Sequence, residues 1–430
     1  MTELIKILFV SIIFTSLLYI PYYKIIFFKN ITSNLSLIDK NILNILIIGN
    51  FVLFLSFFNI SVSNIINLFY LFTLIPLFFF LKEYKENKNI FYYLLFFVFL
   101  IFILTIDLSY NLTLYWDAQK FWLPKAIHFF NNESLYGLKD LDKPQYPYFG
   151  SLIWAFFWKL SNLSHEYFGR VFYLLLLCYS IYNITDLLKI TNLKKLSLFL
   201  VILFVVYDYW HLRGSQEILI FSLLLICSKY LFLFINEKRI KNEQLLIFFL
   251  SINLLIWTKN EGIFFGLFIL VSLLIYSKVN LNIKIFILTI FFLLIINRYY
   301  IFNIYELKNS IADSDDFNLV NLSSSILQNL NFYNFYFISK NILISTLKFP
   351  YIILCLFFMV PILIKTGIKQ QNFFIFVYLF LSVLFTYFVY FSATPYFKVM
   401  VLTGLNRLVF ESSAPYLLFL IIYLKKKIEK

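Results

Sequence analysis

Residues 115–160 read YWDAQKFWLPKAIHFFNNESLYGLKDLDKPQYPYFGSLIWAFFWKL, and this stretch decides how the rest of the chain is organised. An acid, Asp117, stands beside Trp116 soon after a long apolar run. Trp and Tyr favour the headgroup level of a membrane, where a ring is half in water. The stretch is too polar for one membrane span and too aromatic for a solvated loop. We therefore expect a loop on the membrane surface that presents one carboxylate at the mouth of a helical bundle.

The composition outside this stretch is that of a membrane protein. The chain has 430 residues, of which 62% are hydrophobic and 22% aromatic. Apolar runs recur from end to end, and about 20 such residues cross a hydrocarbon core of about 30 Å. Lipid cannot satisfy backbone polar groups, so spans must be helices or a closed barrel. The runs are continuous rather than alternating, which indicates an all-α, polytopic integral membrane protein.

The net charge of +14 has a simple cause in such a protein. Lys and Arg concentrate in the short loops between apolar runs, as the positive-inside rule expects. We therefore predict contact with the lipid bilayer and no nucleic-acid partner. The three cysteines, Cys178, Cys227 and Cys355, all lie inside apolar runs, without the spacing of a metal site or a disulfide framework.

The apolar runs and the lysine pattern predict about 13 transmembrane helices. The basic loops alternate between sides without conflict only if residues 147–160 do not cross, so we expect a re-entrant or surface helix there. The N-terminus is then outside and the C-terminus inside. The predicted spans are 4–22, 42–60, 63–81, 89–107, 166–188, 196–210, 216–235, 244–257, 261–277, 285–300, 346–364, 373–391 and 412–424.

The spans fall into two regions. Residues 1–88 form an N-terminal three-helix membrane extension, and residues 89–430 form the membrane core. The core carries two long outer loops, 108–165 and 301–345, and a shorter one at 392–411. Long polar loops between spans are usually functional or mobile.

Ionisable residues near membrane spans are expensive, so their positions are informative. On the predicted topology they collect at outer helix ends that could ring one cavity. Acids can activate a hydroxyl group, and cations can hold a phosphate as it leaves. These residues are Asp117, Lys125 and His128 in the first outer loop; Asp208, Arg213 and Glu217 around the second; Lys259 and Glu261 in the third; and Lys398, Arg407 and Glu411 in the last.

Five of these residues also have a structural interpretation. Asp117 could be a solvated acid at a span end, and Glu217 could favour the positive end of its helix dipole. Lys259 and Glu261 could form a local ion pair across a tight turn. Arg407 could extend towards lipid headgroups, the commonest fate of an Arg near a span end.

At these residues the sequence resembles glycosyltransferases of the GT-C fold that use polyprenyl-phosphate sugars. The pattern is most similar to that of protein O-mannosyltransferases and lipid A aminoarabinose transferases. The resemblance covers roughly residues 89–424, and its motifs are short; their order and shared side carry it. It rests on Asp117 in YWDAQKFWLPKA, on QYPYFGSLIWAFF with EYFGRVFYLLL, on Glu217 in SQEILIFSLLL, and on Lys259 in WTKNEG with Arg407 in NRLVFESSAP.

The sequence also departs from that family. Three extra spans precede the core, no large soluble domain follows it, and Glu217 stands where Asp is more usual. These departures leave the acceptor and the role of Glu217 open.

The resemblance implies an inverting transfer at the extracytoplasmic face of a bacterial inner membrane. The donor would be a polyprenyl-phosphate-linked sugar, and the acceptor a hydroxyl of a glycan, lipid or protein. Asp117 would be the general base, and Glu217 would position the acceptor or bind a metal. No obligatory cofactor is expected, although a divalent metal is an alternative that no motif supports. Lys259 and Arg407 would hold the donor phosphate, and the predicted substrate-binding residues are Trp116, Lys125, Tyr146, Arg213 and Glu261.

The alternative from another functional class is a transporter or flippase that moves lipid-linked sugars across the membrane without catalysing a reaction. Alternating access would require polar residues that run through the membrane to the cytoplasmic side. The middle of the predicted spans carries almost no charge, with Lys229 as the main exception. This pattern favours an enzyme that works at one face.

Overall fold

The computed structural model describes residues 2–26, 35–86, 89–188, 190–208, 212–237, 240–307, 319–366, 374–392 and 397–428. Within these ranges the chain is all-helical and has no β-strand. The helices are α1 Glu3–Tyr19, α2 Tyr23–Ile26, α3 Leu37–Ser56, α4 Val62–Glu86, α5 Asn89–Tyr110, α6 Leu123–Phe130, α7 Phe149–Ser161, α8 Tyr167–Thr185, α9 Asn192–Val206, α10 Glu217–Asn236, α11 Asn242–Thr258, α12 Glu261–Tyr276, α13 Leu281–Ile304, α14 Leu319–Asn329, α15 Phe332–Leu347, α16 Pro350–Thr366, α17 Phe374–Ser392, α18 Phe397–Glu411 and α19 Ala414–Ile428.

The helices confirm a polytopic membrane protein. In the described ranges, nine segments are long and apolar enough to cross a membrane, or ten if α15 and α16, bent by 103°, form one span. Each of the thirteen predicted spans overlaps a helix, although residues 209–210 lie outside the described part. Four of the predicted spans lie in α9, α11, α12 and α16, which are too short to be counted as single membrane-spanning segments. The count of thirteen therefore stays a prediction. The nine are Glu3–Ile25, Leu37–Ser56, Val62–Phe80, Ile90–Tyr110, Tyr167–Thr185, Glu217–Asn236, Leu281–Ile304, Phe374–Ser392 and Phe397–Lys425.

Two predicted outer loops were wrong in part. The 301–345 region contains the end of α13 and, beyond the undescribed residues 308–318, α14 and most of α15. The 392–411 region is mostly α18, which joins α19 in one candidate span, so Arg407 and Glu411 lie within that span rather than outside it. Three charged residues in α18 lower its apolar character and hid the helix from the sequence pattern.

The centre of the bundle is formed by α8 and α10. Every residue of α8 is buried, as is nearly all of α10, and the two helices pack against each other. Helices that are apolar on all sides need partners or lipid on all sides. The outer helices α4 and α13 bury far less of their surface in the protein, which leaves their apolar side chains for lipid.

The start of the chain and the start of α8 lie at the same end of the bundle. The Tyr167 hydroxyl, at the start of α8, donates a hydrogen bond to the Glu3 carboxylate. One turn on, Arg170 Nη1 donates to the carbonyl of Leu212 at 2.6 Å, just ahead of α10. The N-terminus therefore shares one end of the bundle with the first turn of α10, in agreement with the predicted topology.

The surface loop contains the two short helices α6 and α7. Pro124 lies at the start of α6, where its missing N–H costs nothing. The thirteen residues of α7 span about 20 Å, short of a membrane crossing. Residues 149–157 of α7 are buried, and the helix packs against α6 and α8. Its length fits the prediction that residues 147–160 do not cross the membrane. Its burial shows that α7 lies within the helical bundle rather than on the surface of the protein.

The N-terminal helices pack closely against the rest of the bundle. Helix α1 lies along α5, and α3 contacts α7, α8 and α11. Asn50 on α3 donates to the carbonyl of Leu250 on α11 at 3.1 Å. The boundary predicted at residue 88 stays a prediction, but α3 is part of the same packed core as α8.

We expect single cysteines at Ser109 and Asn242 to be labelled from opposite sides of the membrane by an impermeant thiol reagent. Ser109 is the second-last residue of α5, and Asn242 is the first residue of α11. The three native cysteines are buried and can be replaced by serine as background. Labelling of both positions from one side would contradict a non-crossing α7.

Candidate functional site

Asp117 is held at one end of the bundle by its neighbours in the loop. The Tyr115 N–H donates to the carbonyl of Arg213 at 3.0 Å, which ties the loop to the turn ahead of α10. Gly214 in that turn has φ +78°, and a Cβ there would lie 3.1 Å from the Cβ of Ala118, next to Asp117. Glycine adopts this backbone conformation at no steric cost. The turn can therefore pack directly against the residue that follows the acid.

Asp117 also begins an irregular helical segment. Residues Ala118–Trp122 form a π-helical turn that leads into α6. Such turns are rare, and they occur frequently at functional sites. The Asp117 carboxylate, just ahead of this turn, accepts a hydrogen bond from Arg407 on α18.

Three further elements bring charged groups to Asp117. Glu217 is the first residue of α10, and Lys259 stands between α11 and α12. Arg407 and Glu411 are separated by four residues in α18, so both lie on one face of that helix. Because α10 packs against α11, α12 and α18, these side chains converge.

The six charged side chains form one connected network. Arg407 Nη1 donates to Asp117 Oδ2 at 2.5 Å, and Arg407 Nε donates to Glu217 Oε1 at 2.7 Å. Lys259 Nζ donates to the same Glu217 oxygen at 3.3 Å and to Glu411 Oε1 at 2.6 Å. Glu261 Oε1 lies 3.7 Å from Lys259 Nζ. Glu217 is thus the acid that both cations share.

The acids of the network form two layers. The side chains of Glu217 and Glu411 are each 1% exposed, and they are the inner acids. Those of Asp117 and Glu261 are 26% and 31% exposed, and they are the outer acids. The two cations lie between the layers. The network therefore opens towards solvent on the side of Asp117 and Glu261.

The charge balance of the network is negative, since four carboxylates meet two cations. Burial by itself would lower the pKa of Lys259, but Glu261, Glu411 and Glu217 more than offset this effect and raise that pKa above its ordinary value. Lys259 therefore stays protonated at any physiological pH.

These contacts decide among the structural interpretations of the charged residues. Arg407 does not extend to lipid headgroups, because its guanidinium group binds Asp117 and Glu217. The predicted pair of Lys259 and Glu261 exists, but Lys259 is closer to Glu411. The four residues predicted to act on donor and acceptor thus lie in one network, although they come from distant parts of the sequence.

Of the residues predicted to bind substrate, Lys125 has a structural role instead. Its ammonium group donates to the carbonyls of Lys143 and Tyr146 at 2.8 and 2.9 Å, and its side chain is fully buried. Burial lowers the pKa of Lys125 to about 7. This residue therefore fixes the loop ahead of α7, and the sequence pattern could not distinguish that role from binding.

The other predicted substrate-binding residues of the loops make contacts outside the network. The Tyr146 ring stacks on Trp122 with ring centroids 5.8 Å apart. The Trp116 side chain is exposed, and the Arg213 guanidinium group lies over the Tyr115 ring at 5.6 Å. Their contact with substrate stays a prediction.

Two features of the charged residues were missed from the sequence. Glu411 received no role, although its spacing of four residues from Arg407 was a usable signal. The other missed feature is an ion pair outside the network, in which Lys229 Nζ on α10 lies 2.7 Å from Asp39 Oδ1 on α3. The Tyr230 hydroxyl donates to the same oxygen at 2.8 Å. Asp39 lies near a lysine-rich loop, which concealed its pairing.

No set of three or more His, Cys, Asp or Glu residues within the described ranges is arranged to hold a metal ion. The prediction that no metal is obligatory therefore remains untested. Comparison of the chain with models of known families, with curated proteins and with solved structures finds no match.

Proposed function

We propose that this protein is a membrane glycosyltransferase that moves a sugar from a polyprenyl phosphate to a hydroxyl group. The observation that carries the proposal is the network that joins Asp117, Glu217, Lys259 and Arg407. It combines a partly exposed carboxylate with two cations at one end of a membrane bundle, which suits a hydroxyl acceptor and a lipid-anchored phosphate. The GT-C-like order of these residues in the sequence supports the same chemistry.

In the proposed reaction Asp117 takes the proton from the acceptor hydroxyl. The acceptor oxygen then forms a bond to the anomeric carbon while the bond from that carbon to the phosphate oxygen breaks. The configuration inverts, and polyprenyl phosphate leaves with one more negative charge. Lys259 and Arg407 stabilise that developing charge, and Glu217 positions both cations.

The location that this function requires is the extracytoplasmic face of a bacterial inner membrane. The lysine-rich loops belong to the opposite face under the positive-inside rule. The isoprenoid tail would lie in lipid, and the acceptor would be a glycan, lipid or protein hydroxyl outside the cell. No metal takes part in the proposed step.

Mass spectrometry of surface glycans and lipid-linked sugars, with and without the protein, tests the proposal. Loss of the protein should remove one sugar from a glycan and let its polyprenyl-phosphate form accumulate. Identical profiles for both compounds would contradict a transferase. Accumulation of the lipid-linked sugar only at the cytoplasmic face, with free transfer in opened membranes, would indicate a flippase.

A flippase is the second candidate, because the buried Lys229 pairs with the partly exposed Asp39. Lys229 follows Glu217 by twelve residues on α10, which corresponds to about 18 Å along the helix. A charge pair at that depth suits a polar pathway across the membrane. The residues between them, 218–228, are all buried and are apolar except for Ser222 and Ser228, which favours a structural pair that fastens α3 to α10.

The variant Lys229→Met with Asp39→Asn distinguishes these candidates. A transferase should keep its transfer rate within about threefold, because the pair lies about 18 Å from the network and distant sites act independently. The matched control is Lys195→Met with Asp186→Asn, a more exposed pair at 2.8 Å. Loss of function by the first variant in a folded protein, with an unaffected control, would favour the flippase.

A further inference from the structure

We propose that the donor phosphate binds by displacing the outer acids, Asp117 and Glu261, and that Asp117 becomes available to the acceptor only after this exchange. The inference rests on the proposed function. In this proposal, phosphate oxygens of the donor take the places that the Asp117 and Glu261 carboxylates occupy in the structure. It also makes donor binding the event that sets Asp117 free.

The first argument is the pairing of the cations. Arg407 already binds two carboxylates, and Lys259 lies within 4 Å of three. The network holds more carboxylates than cations, so a further anion would be repelled if it were simply added. A phosphate can therefore bind these cations only in place of a carboxylate.

The second argument is the difference between inner and outer acids. Glu217 is nearly inaccessible and accepts from both cations, so an incoming anion could replace it only by breaking two buried contacts at once. Asp117 contacts the network through Arg407 and is exposed enough to rotate into solvent. Glu261 is held in the network by the long 3.7 Å contact to Lys259. The outer acids are thus the ones that an incoming anion can replace at least cost.

The third argument is chemical. Asp117 Oδ2 accepts a short hydrogen bond from Arg407 Nη1, and this bond holds the whole carboxylate turned towards the guanidinium group rather than towards an acceptor hydroxyl. A phosphate offers the planar guanidinium group the same kind of two-oxygen acceptor. Once it replaces Asp117 on Arg407, the freed carboxylate lies beside both the phosphate and the incoming acceptor. Donor binding thereby prepares the base and prevents acceptor activation without a donor.

The test is the affinity of the full-length protein in lipid nanodiscs for farnesyl phosphate, measured by titration calorimetry. Farnesol, which lacks the phosphate, controls for binding of the tail. Asp117→Asn and Glu261→Gln should each bind farnesyl phosphate about five- to tenfold more tightly than wild type, because each removes a competing, partly exposed carboxylate. Arg407→Met should bind it about tenfold more weakly or worse, because it removes a charge-assisted contact.

The matched control is Asp140→Asn, which removes one exposed carboxylate from the same loop outside the network. Its affinity should equal that of wild type at moderate salt, where distant charges are screened. The exchange would be overturned if wild type binds farnesyl phosphate and both Asp117→Asn and Glu261→Gln bind it equally or more weakly. The proposed function would then still stand. If neither wild type nor any folded variant binds farnesyl phosphate, both the exchange and the proposed function would be overturned.

Discussion

Replacement of Asp117 by Asn is expected to lower the rate of sugar transfer by about 10²- to 10⁴-fold, the usual contribution of a general base. Asparagine keeps the shape of the side chain and can still accept a hydrogen bond from Arg407. It cannot take a proton from the acceptor hydroxyl. The measurement is the release of polyprenyl phosphate by purified protein from the lipid-linked sugar that mass spectrometry identifies.

Asp140→Asn is the matched control for this prediction, because it makes the same substitution at an exposed position of the same loop. Its transfer rate should remain within about twofold of wild type, as for most surface substitutions. The helical content and melting temperature of both variants should equal those of wild type. Near-normal turnover by a folded Asp117→Asn protein would remove Asp117 from the mechanism.

Replacement of Glu217 by Gln is expected to lower the free energy of unfolding by about 1.5–3 kcal/mol, the usual contribution of buried hydrogen bonds to charged groups. Glu217 is the acid shared by Arg407 and Lys259, and its side chain is almost fully buried. Glutamine keeps the size but is a weaker acceptor for both cations, which retain Asp117 and Glu411 as partners. Denaturant unfolding in mixed micelles measures this difference.

Glu306→Gln is the control for the stability experiment. Glu306 also pairs with a lysine, at 3.1 Å from Lys139 Nζ, but its side chain is 67% exposed. Exposed pairs contribute about 0–1 kcal/mol, so this variant should be nearly as stable as wild type. Equal stabilities of the Glu217 and Glu306 variants would mean that Asp117 and Glu411 compensate the two cations without Glu217.

The membrane class and the approximate helix positions could be predicted because repeated apolar runs of span length are rare in water-soluble proteins. The short contacts among Asp117, Glu217 and Arg407 could not be predicted from composition alone. The convergence of Asp117 and Glu217 could be predicted, because the positive-inside rule assigns the loop of Asp117 and the start of α10 to one side of the membrane. Arg407 lies within a candidate span that the sequence pattern placed in a loop. The packing of the helices then determines which of them touch.

The failures have a common physical cause. Helix α18 was missed because Lys398, Arg407 and Glu411 interrupt its apolar pattern, yet two of these charges are neutralised by partners on other elements. The role of Lys125 was missed because its partners are backbone carbonyls, which every residue has. Partners that are distant in sequence decide whether a charge can be buried, and no local pattern records them.

The complete burial of α8 also bears on how the protein is made. This helix is the least apolar of the nine candidate spans in the described ranges, and it carries Arg170 inside the bundle. A segment of this kind partitions poorly into lipid when the translocon presents it alone. The helices that surround it early in synthesis, α1, α3 and α5, precede it in the chain and contact it in the folded protein. The N-terminal spans can therefore act as an internal insertion partner, and a chain shortened by them would be expected to leave α8 outside the bilayer and reach the quality-control proteases.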